Sequence, residues 1–131
     1  QSKLPPMRFE STDGFPIYVG RNNRQNDELT FKLARKDDIW CHASKVHGSH
    51  VIISCGGQVP PDNTVTQAAQ LAAYYSESTG GQNIPVDVTT VKQVKKVPSG
   101  KPGMVIYHSY RTAIVNPYPD VRIDPLNAEK G

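Results

Sequence analysis

The sequence lacks the segments that would anchor it in a membrane or cross-link it. Its longest purely aliphatic run covers only residues 51–53, whereas a membrane-spanning helix needs about 20 apolar residues. Two cysteines, Cys41 and Cys55, are too few for a disulfide framework and fit a reducing compartment. The chain starts with neither methionine nor an apolar signal segment. We therefore expect an excised fragment of a cytoplasmic protein.

Acidic residues are absent from one long segment. Residues 88–119 contain five basic side chains and no Asp or Glu, so this segment carries +5 within a net charge of +3. The remaining residues carry −2, with 10 basic against 12 acidic side chains. Such an asymmetry predicts a surface that binds a polyanion, with a plain solvated loop as the alternative.

The composition is that of a single folded domain. Hydrophobic residues make up 37% and charged residues 21% of 131 residues, which fits one globular domain of ordinary size. Proline is frequent near both ends. We expect an N-terminal tail at residues 1–6, a domain at 7–118 and a C-terminal tail at 119–131.

Turn and helix signals predict an α+β fold with a mainly antiparallel sheet built from hairpins. An Asp-Gly turn at 13–14 predicts a hairpin of 7–10 with 15–19. Further strands are expected at 37–43, 49–54, 86–91, 103–108 and 110–115, the last two as a hairpin. A short helix is expected at about 27–34, capped by Asn26. A long helix is expected at about 64–79, with Thr64 and Gln67 as a capping box and an alanine-rich face against the sheet.

The densest chemistry lies between residues 37 and 55, and three interpretations compete there. Two cysteines and three histidines could ligate zinc, but their C-H-x4-H-x2-H-x4-C spacing matches no structural zinc pattern. Asp37 or Asp38 with Ser49 and His50 could form a catalytic set, but no nucleophile elbow or phosphate-binding loop surrounds them. We therefore expect no enzyme and no cofactor.

The third interpretation is a binding surface. Trp40 and His42 share one face of a strand, because side chains alternate along it, and flat rings can stack on an unpaired base. Trp40 as an ordinary core residue is the alternative. A second polar segment, residues 20–27, holds two arginines and three asparagines beside a helix start, a combination that can grip phosphates or base edges. Ordinary turn and capping chemistry is the alternative there.

Six segments in this order resemble the NFACT-R domain, the RNA-binding module of ribosome quality control factors that include RqcH (also called fibronectin-binding protein A) and NEMF. The segments are GRNNRQNDELT at 20–30, DDIWCH at 37–42, GSHV at 48–51, AAQLAAYYS at 68–76, VDVT at 86–89 and KPGMVIY at 101–107. The resemblance implies a cytoplasmic docking module of a factor that engages stalled large ribosomal subunits carrying peptidyl-tRNA and supports C-terminal alanine tailing. The resemblance also implies that the residues for tailing belong to another domain of the family, which we expect this chain to lack.

The resemblance and the charge pattern together give a predicted RNA-contacting set. It comprises Arg21, Asn22, Asn23, Asp27, Trp40, His42, Ser49, His50, Lys92, Lys95, Lys96 and Lys101. Expected partners are the large ribosomal subunit, tRNA or rRNA, and other domains of the full-length factor, with no membrane. Two alternatives stay open: a surface adhesin that binds fibronectin, and a metal-dependent nuclease or hydrolase using Asp37, Asp38 and His50.

Overall fold

The computed structural model describes residues 4–98 and 100–118, together with the backbone of residues 122–123. The strands are β1 (Met7–Glu10), β2 (Pro16–Val19), β3 (Ile39–Ala43), β4 (Val51–Ile53), β5 (Ile84–Thr90), β6 (Lys95–Lys96), β7 (Val105–Ile106), β8 (Arg111–Val115) and β9 (Arg122–Ile123). The helices are α1 (Asn23–Glu28), which continues as a π-helical turn at Leu29–Leu33, α2 (Asp62–Tyr74) and a 3-10 turn at Val91–Gln93. Seven strands form one antiparallel sheet in the order β8-β5-β3-β4-β2-β1-β9. The predicted α+β class is confirmed.

The first hairpin forms around the Asp-Gly turn. Gly14 adopts a φ of 87°, a left-handed conformation that glycine reaches without a steric penalty. β1 and β2 then pair with Met7 opposite Val19, and this register turns Phe9 and Ile17 into the core. The predicted hairpin is confirmed.

Helix α2 covers one face of the sheet. Four alanines, at 68, 69, 72 and 73, are completely buried, so the helix backbone lies close to the strands. The predicted capping box is wrong, because the helix begins at Asp62 after Pro61 with no side-chain cap. The Thr64 hydroxyl instead lies 2.8 Å from Ser11 Oγ in the first hairpin. The helix ends at Tyr74 rather than at about residue 79.

Helix α1, its π-helical turn and the β6–β7 pair cover the opposite face. A second apolar cluster fills this layer and contains Leu29, Trp40, Ile52, Val91 and Val94. The helical segment runs from residue 23 to 33 rather than from about 27 to 34, so it begins one turn earlier than predicted.

The predicted hairpin of 103–108 with 110–115 is wrong. β7 pairs with β6, with Lys96 opposite Val105, whereas β8 pairs with β5, with Val115 opposite Ile84. The two segments are close in the sequence but belong to different sheets. The loop before β7 therefore contacts α1, through a bond from Gly103 to Asp27, rather than lying at the edge of the main sheet.

The two ends of the domain meet along β1. Arg122–Ile123, which the sequence places in a C-terminal tail, run antiparallel to β1. Residues 119–121 and 124–131 lie outside the described residues, so the tail boundaries stay predictions. Within the described part of the chain, no helix has the length and apolar character needed to cross a membrane.

Candidate nucleic-acid interface

The polar loop at 20–23 is held by the first turn of α1. The Asn22 side chain caps the helix by accepting a hydrogen bond from the Gln25 backbone N–H, at 2.8 Å. Gln25 Oε1 in turn accepts from the Arg21 backbone N–H at 2.7 Å. These reciprocal bonds satisfy backbone donors that the helix leaves unpaired. The predicted cap at Asn26 is wrong, because this residue lies inside the helix.

Asn26 instead joins the helix to the Gly-Ser-His turn at 48–50. Its Oδ1 accepts from the His50 backbone N–H at 3.1 Å, and Ser49 Oγ donates to the Gly20 carbonyl at 2.7 Å. A Cβ at Gly20 would overlap the Asn26 amide, and one at Gly48 would lie 2.9 Å from Ser76 Cβ. Both glycines are therefore required by close approach of the chain. Through these bonds, Ser49 and Asn26 hold the Gly-Ser-His turn against Gly20 and α1.

Gly103 is the second point at which distant segments meet. Its backbone N–H donates to Asp27 Oδ1 at 3.3 Å, and its carbonyl lies 3.1 Å from His50 Nε2. The other oxygen of Asp27 pairs with Lys96 Nζ at 2.9 Å. Although burial acts to raise the pKa of Asp27, the hydrogen bonds from Lys96 and Gly103 lower it. Asp27 therefore fixes the 101–104 loop.

The His50 ring is a neutral link between two layers. Burial, with the neighbouring His42 as a further cause, lowers the pKa of His50 to about 3. Since the Gly103 carbonyl only accepts, Nε2 carries the proton, and Nδ1 accepts from the Thr30 hydroxyl at 2.8 Å. His50 thus ties the π-helical turn to the 101–104 loop.

Trp40 and His42 lie on the same sheet face, as the alternation of side chains predicts. Their rings are parallel within 6° with centroids 5.6 Å apart. Trp40 is completely buried and His50 is 1% exposed, so an incoming base cannot reach either ring in this conformation. The predicted stacking on Trp40 therefore does not fit the structure, whereas His42 is half-buried and borders a cleft. Within the described residues, the Trp40 indole N–H has no hydrogen-bond partner.

The exposed part of the predicted site lines a depression with a volume of about 600 Å³. We call it the asparagine–lysine surface, and it is lined by Asn22, Asn23, Arg24, Gln25, Glu28, Lys101 and Pro102. Asn23 also borders two neighbouring depressions, so this residue lies where three depressions meet. Exposed amides and cations beside a helix start offer hydrogen bonds and charge to a phosphate backbone.

The four predicted lysines do not form one patch. Lys101 lines the asparagine–lysine surface, whereas the Lys92 backbone bonds to that of Lys36. Lys95 and Lys96 are adjacent on β6, so their side chains point to opposite sides. Lys96 is already paired with Asp27 and lies 5.6 Å from the Phe31 ring centroid. Of the four, Lys101 alone lines the asparagine–lysine surface beside the polar loop at 20–23.

The groups proposed for hydrolysis or metal binding are separated. Asp38 is buried and accepts from the backbone N–H groups of Arg35 and Cys55, at the end of the β3–β4 pair opposite to Ser49 and His50. Burial raises the pKa of the Cys41 thiol to about 12. Among the residues that the structure describes, no three His, Cys, Asp or Glu side chains come together as a metal site.

Sequence reasoning missed three parts of this region. Arg24 was part of the polar loop but was not named as a contact, and Lys45 borders the cleft beside His42. Asp87 is buried and accepts from the Tyr107 hydroxyl at 2.6 Å. The sequence does not indicate which residue a buried acid such as Asp87 contacts. Lys45, in contrast, could have been predicted as exposed, because it follows β3 in a turn.

Comparison with known proteins agrees with the architecture. The family model described as the NFACT protein RNA binding domain matches residues 6–109. The chain is 44% identical over 115 residues to the Rqc2 homolog RqcH of Bacillus subtilis and 50% identical over 118 residues to that of Streptococcus pneumoniae. These matches cover 88% and 89% of this chain but 20% and 21% of the relatives.

A solved structure has the same fold. The C-terminal part of the fibronectin/fibrinogen-binding protein from Streptococcus suis superposes with a TM-score of 0.85 at 43% identity, covering 89% of this chain and 47% of that one. The chain thus spans about a fifth of the curated relatives it matches. By the family model and by these identities, the chain belongs to the NFACT RNA-binding domain family.

Proposed function

We propose that this chain is the RNA-docking module of a cytoplasmic ribosome quality control factor. In this role it holds the factor on stalled large ribosomal subunits that carry peptidyl-tRNA, and it supports C-terminal alanine tailing without performing it. Family membership supports RNA and ribosome-related partners. The large subunit and tRNA are the specific partners that we propose.

One observation carries the choice of surface. The asparagine–lysine surface brings exposed Arg24 and Lys101 together with two exposed amides, although Lys101 lies 77 positions after Arg24 in the sequence. Its loops are fixed by the bonds of Asn22 and Asp27 described above. Binding energy is therefore not spent on ordering them.

Charge neutralisation gives the binding its measurable signature. Each phosphate contact contributes about −0.7 to the log–log salt slope for a single strand. The two exposed cations of this surface, Arg24 and Lys101, give a slope near −1.4, which corresponds to about a sevenfold loss of affinity between about 50 and about 200 mM salt. We expect this for tRNA and for purified large subunits.

The decisive experiment compares two charge-matched double variants. Arg24→Ala with Lys101→Ala removes two contacts and should reduce the slope by about 1.4. Lys32→Ala with Lys36→Ala removes the same charge from exposed positions that do not line this surface and should leave the slope nearly unchanged. Equal slopes for both variants would contradict the assignment of this surface, and no binding at about 50 mM salt would contradict RNA docking itself.

A further inference from the structure

A cleft lies beside the asparagine–lysine surface, and the RNA-docking function proposed above assigns no role to it. It has a volume of about 440 Å³, within the range of roughly 300–1,000 Å³ of small-molecule sites. It lies between the end of β3 and the 102–105 segment. Its walls include Asn23, His42, Lys45, Glu77, Met104 and Tyr107.

His42 gives the cleft a flat and fixed wall. One face of its ring is stacked on Trp40, with 6° between the planes, and His50 meets it edge-on at 5.6 Å. Trp40 is in turn completely buried, so the stack rests on the core. Burial lowers the pKa of His42, so its ring is neutral at physiological pH. A rigid neutral ring bordering a cleft is a platform for base stacking.

Polar groups at the rim of the cleft can bind the base edge and the phosphate of a nucleotide. The Asn23 side chain is exposed and, in the part of the chain described here, makes no hydrogen bond, so its amide can both donate to and accept from a base edge. Lys45 is exposed at a φ of 60° and supplies positive charge for a phosphate. Glu77 also lines the cleft, and its carboxylate repels phosphate.

We propose that this cleft accepts one unpaired nucleobase of a bound RNA, stacked on His42 with its edge at Asn23. The proposal rests on the RNA-docking function proposed above and adds to it a preference for single-stranded over fully paired RNA. Paired bases cannot enter, because their faces are occupied by neighbours in the helix.

The test distinguishes binding through a nucleobase from binding through the phosphate backbone. We would measure binding of the 131-residue chain to a fluorescein-labelled uridine decamer and to a fully abasic ribose–phosphate decamer, at about 50 mM salt. Both strands have the same charge, so phosphate docking alone gives equal affinities. Stacking of one base makes the uridine strand bind about fivefold or more tightly.

Two variants test whether the preference for the uridine strand arises in this cleft. His42→Ala should reduce this preference about fivefold, and Asn23→Ala, at an exposed position, should reduce it in the same direction. His108→Ala replaces an exposed histidine outside the cleft and should preserve it. A cooperative urea unfolding transition verifies that each variant is folded.

The outcomes are distinct. Equal affinities for the two strands, with strong salt dependence, would overturn the nucleobase cleft and leave RNA docking intact. A preference for uridine that survives in both cleft variants would also overturn it. If neither decamer, tRNA nor large subunits bind, both proposals fail.

Discussion

Acid should destabilise this domain through His50, well above the pH at which most carboxylates are protonated. The folded-state pKa of His50 is about 3, against about 6.5 for an unperturbed histidine. Between these values the unfolded chain binds the additional proton, so the free energy of unfolding falls as the pH falls. His50 contributes its full stabilisation above pH 6.5, and roughly 3 kcal/mol of it is lost at pH 4.5.

Urea unfolding at pH 7 and pH 4.5 measures this loss. The domain has a single tryptophan, and the His50 ring lies 5.3 Å from it, so Trp40 fluorescence reports on the relevant packing. His50→Gln removes the titrating group and should reduce the loss to the smaller contribution of His42, whose pKa is also lowered. His108→Gln, at an exposed position, should leave the loss unchanged.

Two results would refute this reasoning about His50. One is a free energy of unfolding that is equal at the two pH values in the unmodified domain. The other is a loss of the same size in His50→Gln, which would assign the effect to other groups. At pH 4.5 the Asp27 carboxylate contributes little, because its pKa lies below the ordinary value of 3.8.

Further substitutions test the packing. Gly48→Ala brings a Cβ to 2.9 Å from Ser76 Cβ and should cost about 1–3 kcal/mol in urea unfolding, whereas Gly80→Ala, with open space around it, should stay within about 0.5 kcal/mol. Thr64→Ala should cost about 1–2 kcal/mol because it removes a buried hydroxyl bonded to the first hairpin, and Thr64→Ser should restore most of it. Cys41 should react with a thiol reagent only as fast as the domain unfolds, since it is fully buried; rapid labelling under native conditions would contradict its placement.

Local signals predicted the parts of the fold that local chemistry decides. The Asp-Gly turn defined the first hairpin, and the alanine spacing defined the packed face of α2. The shared face of Trp40 and His42 followed from the alternation of side chains along a strand.

Tertiary contacts decided the rest. Thr64 has the sequence of a helix cap, but its hydroxyl bonds to Ser11, 53 positions away. Asn22 and Asn26 both suit a cap, and the buried contact of Asn26 with His50 decides between them. The separation of β7 from β8 has no local signal, since either pairing satisfies the same strand pattern. Burial of His50 likewise depends on a loop 53 positions later.

The bonds at Gly103 have a consequence for the order in which the domain is made. This residue joins Asp27, 76 positions earlier, and His50, 53 positions earlier. During synthesis the polar loop at 20–23 emerges first, yet its neighbour Lys101 is held in place only after residue 103 has left the ribosome. Such long closures are slow to form compared with local turns. A nascent or truncated copy that ends before Gly103 therefore has the polar loop at 20–23 without the asparagine–lysine surface, and it should not compete with the finished protein for RNA.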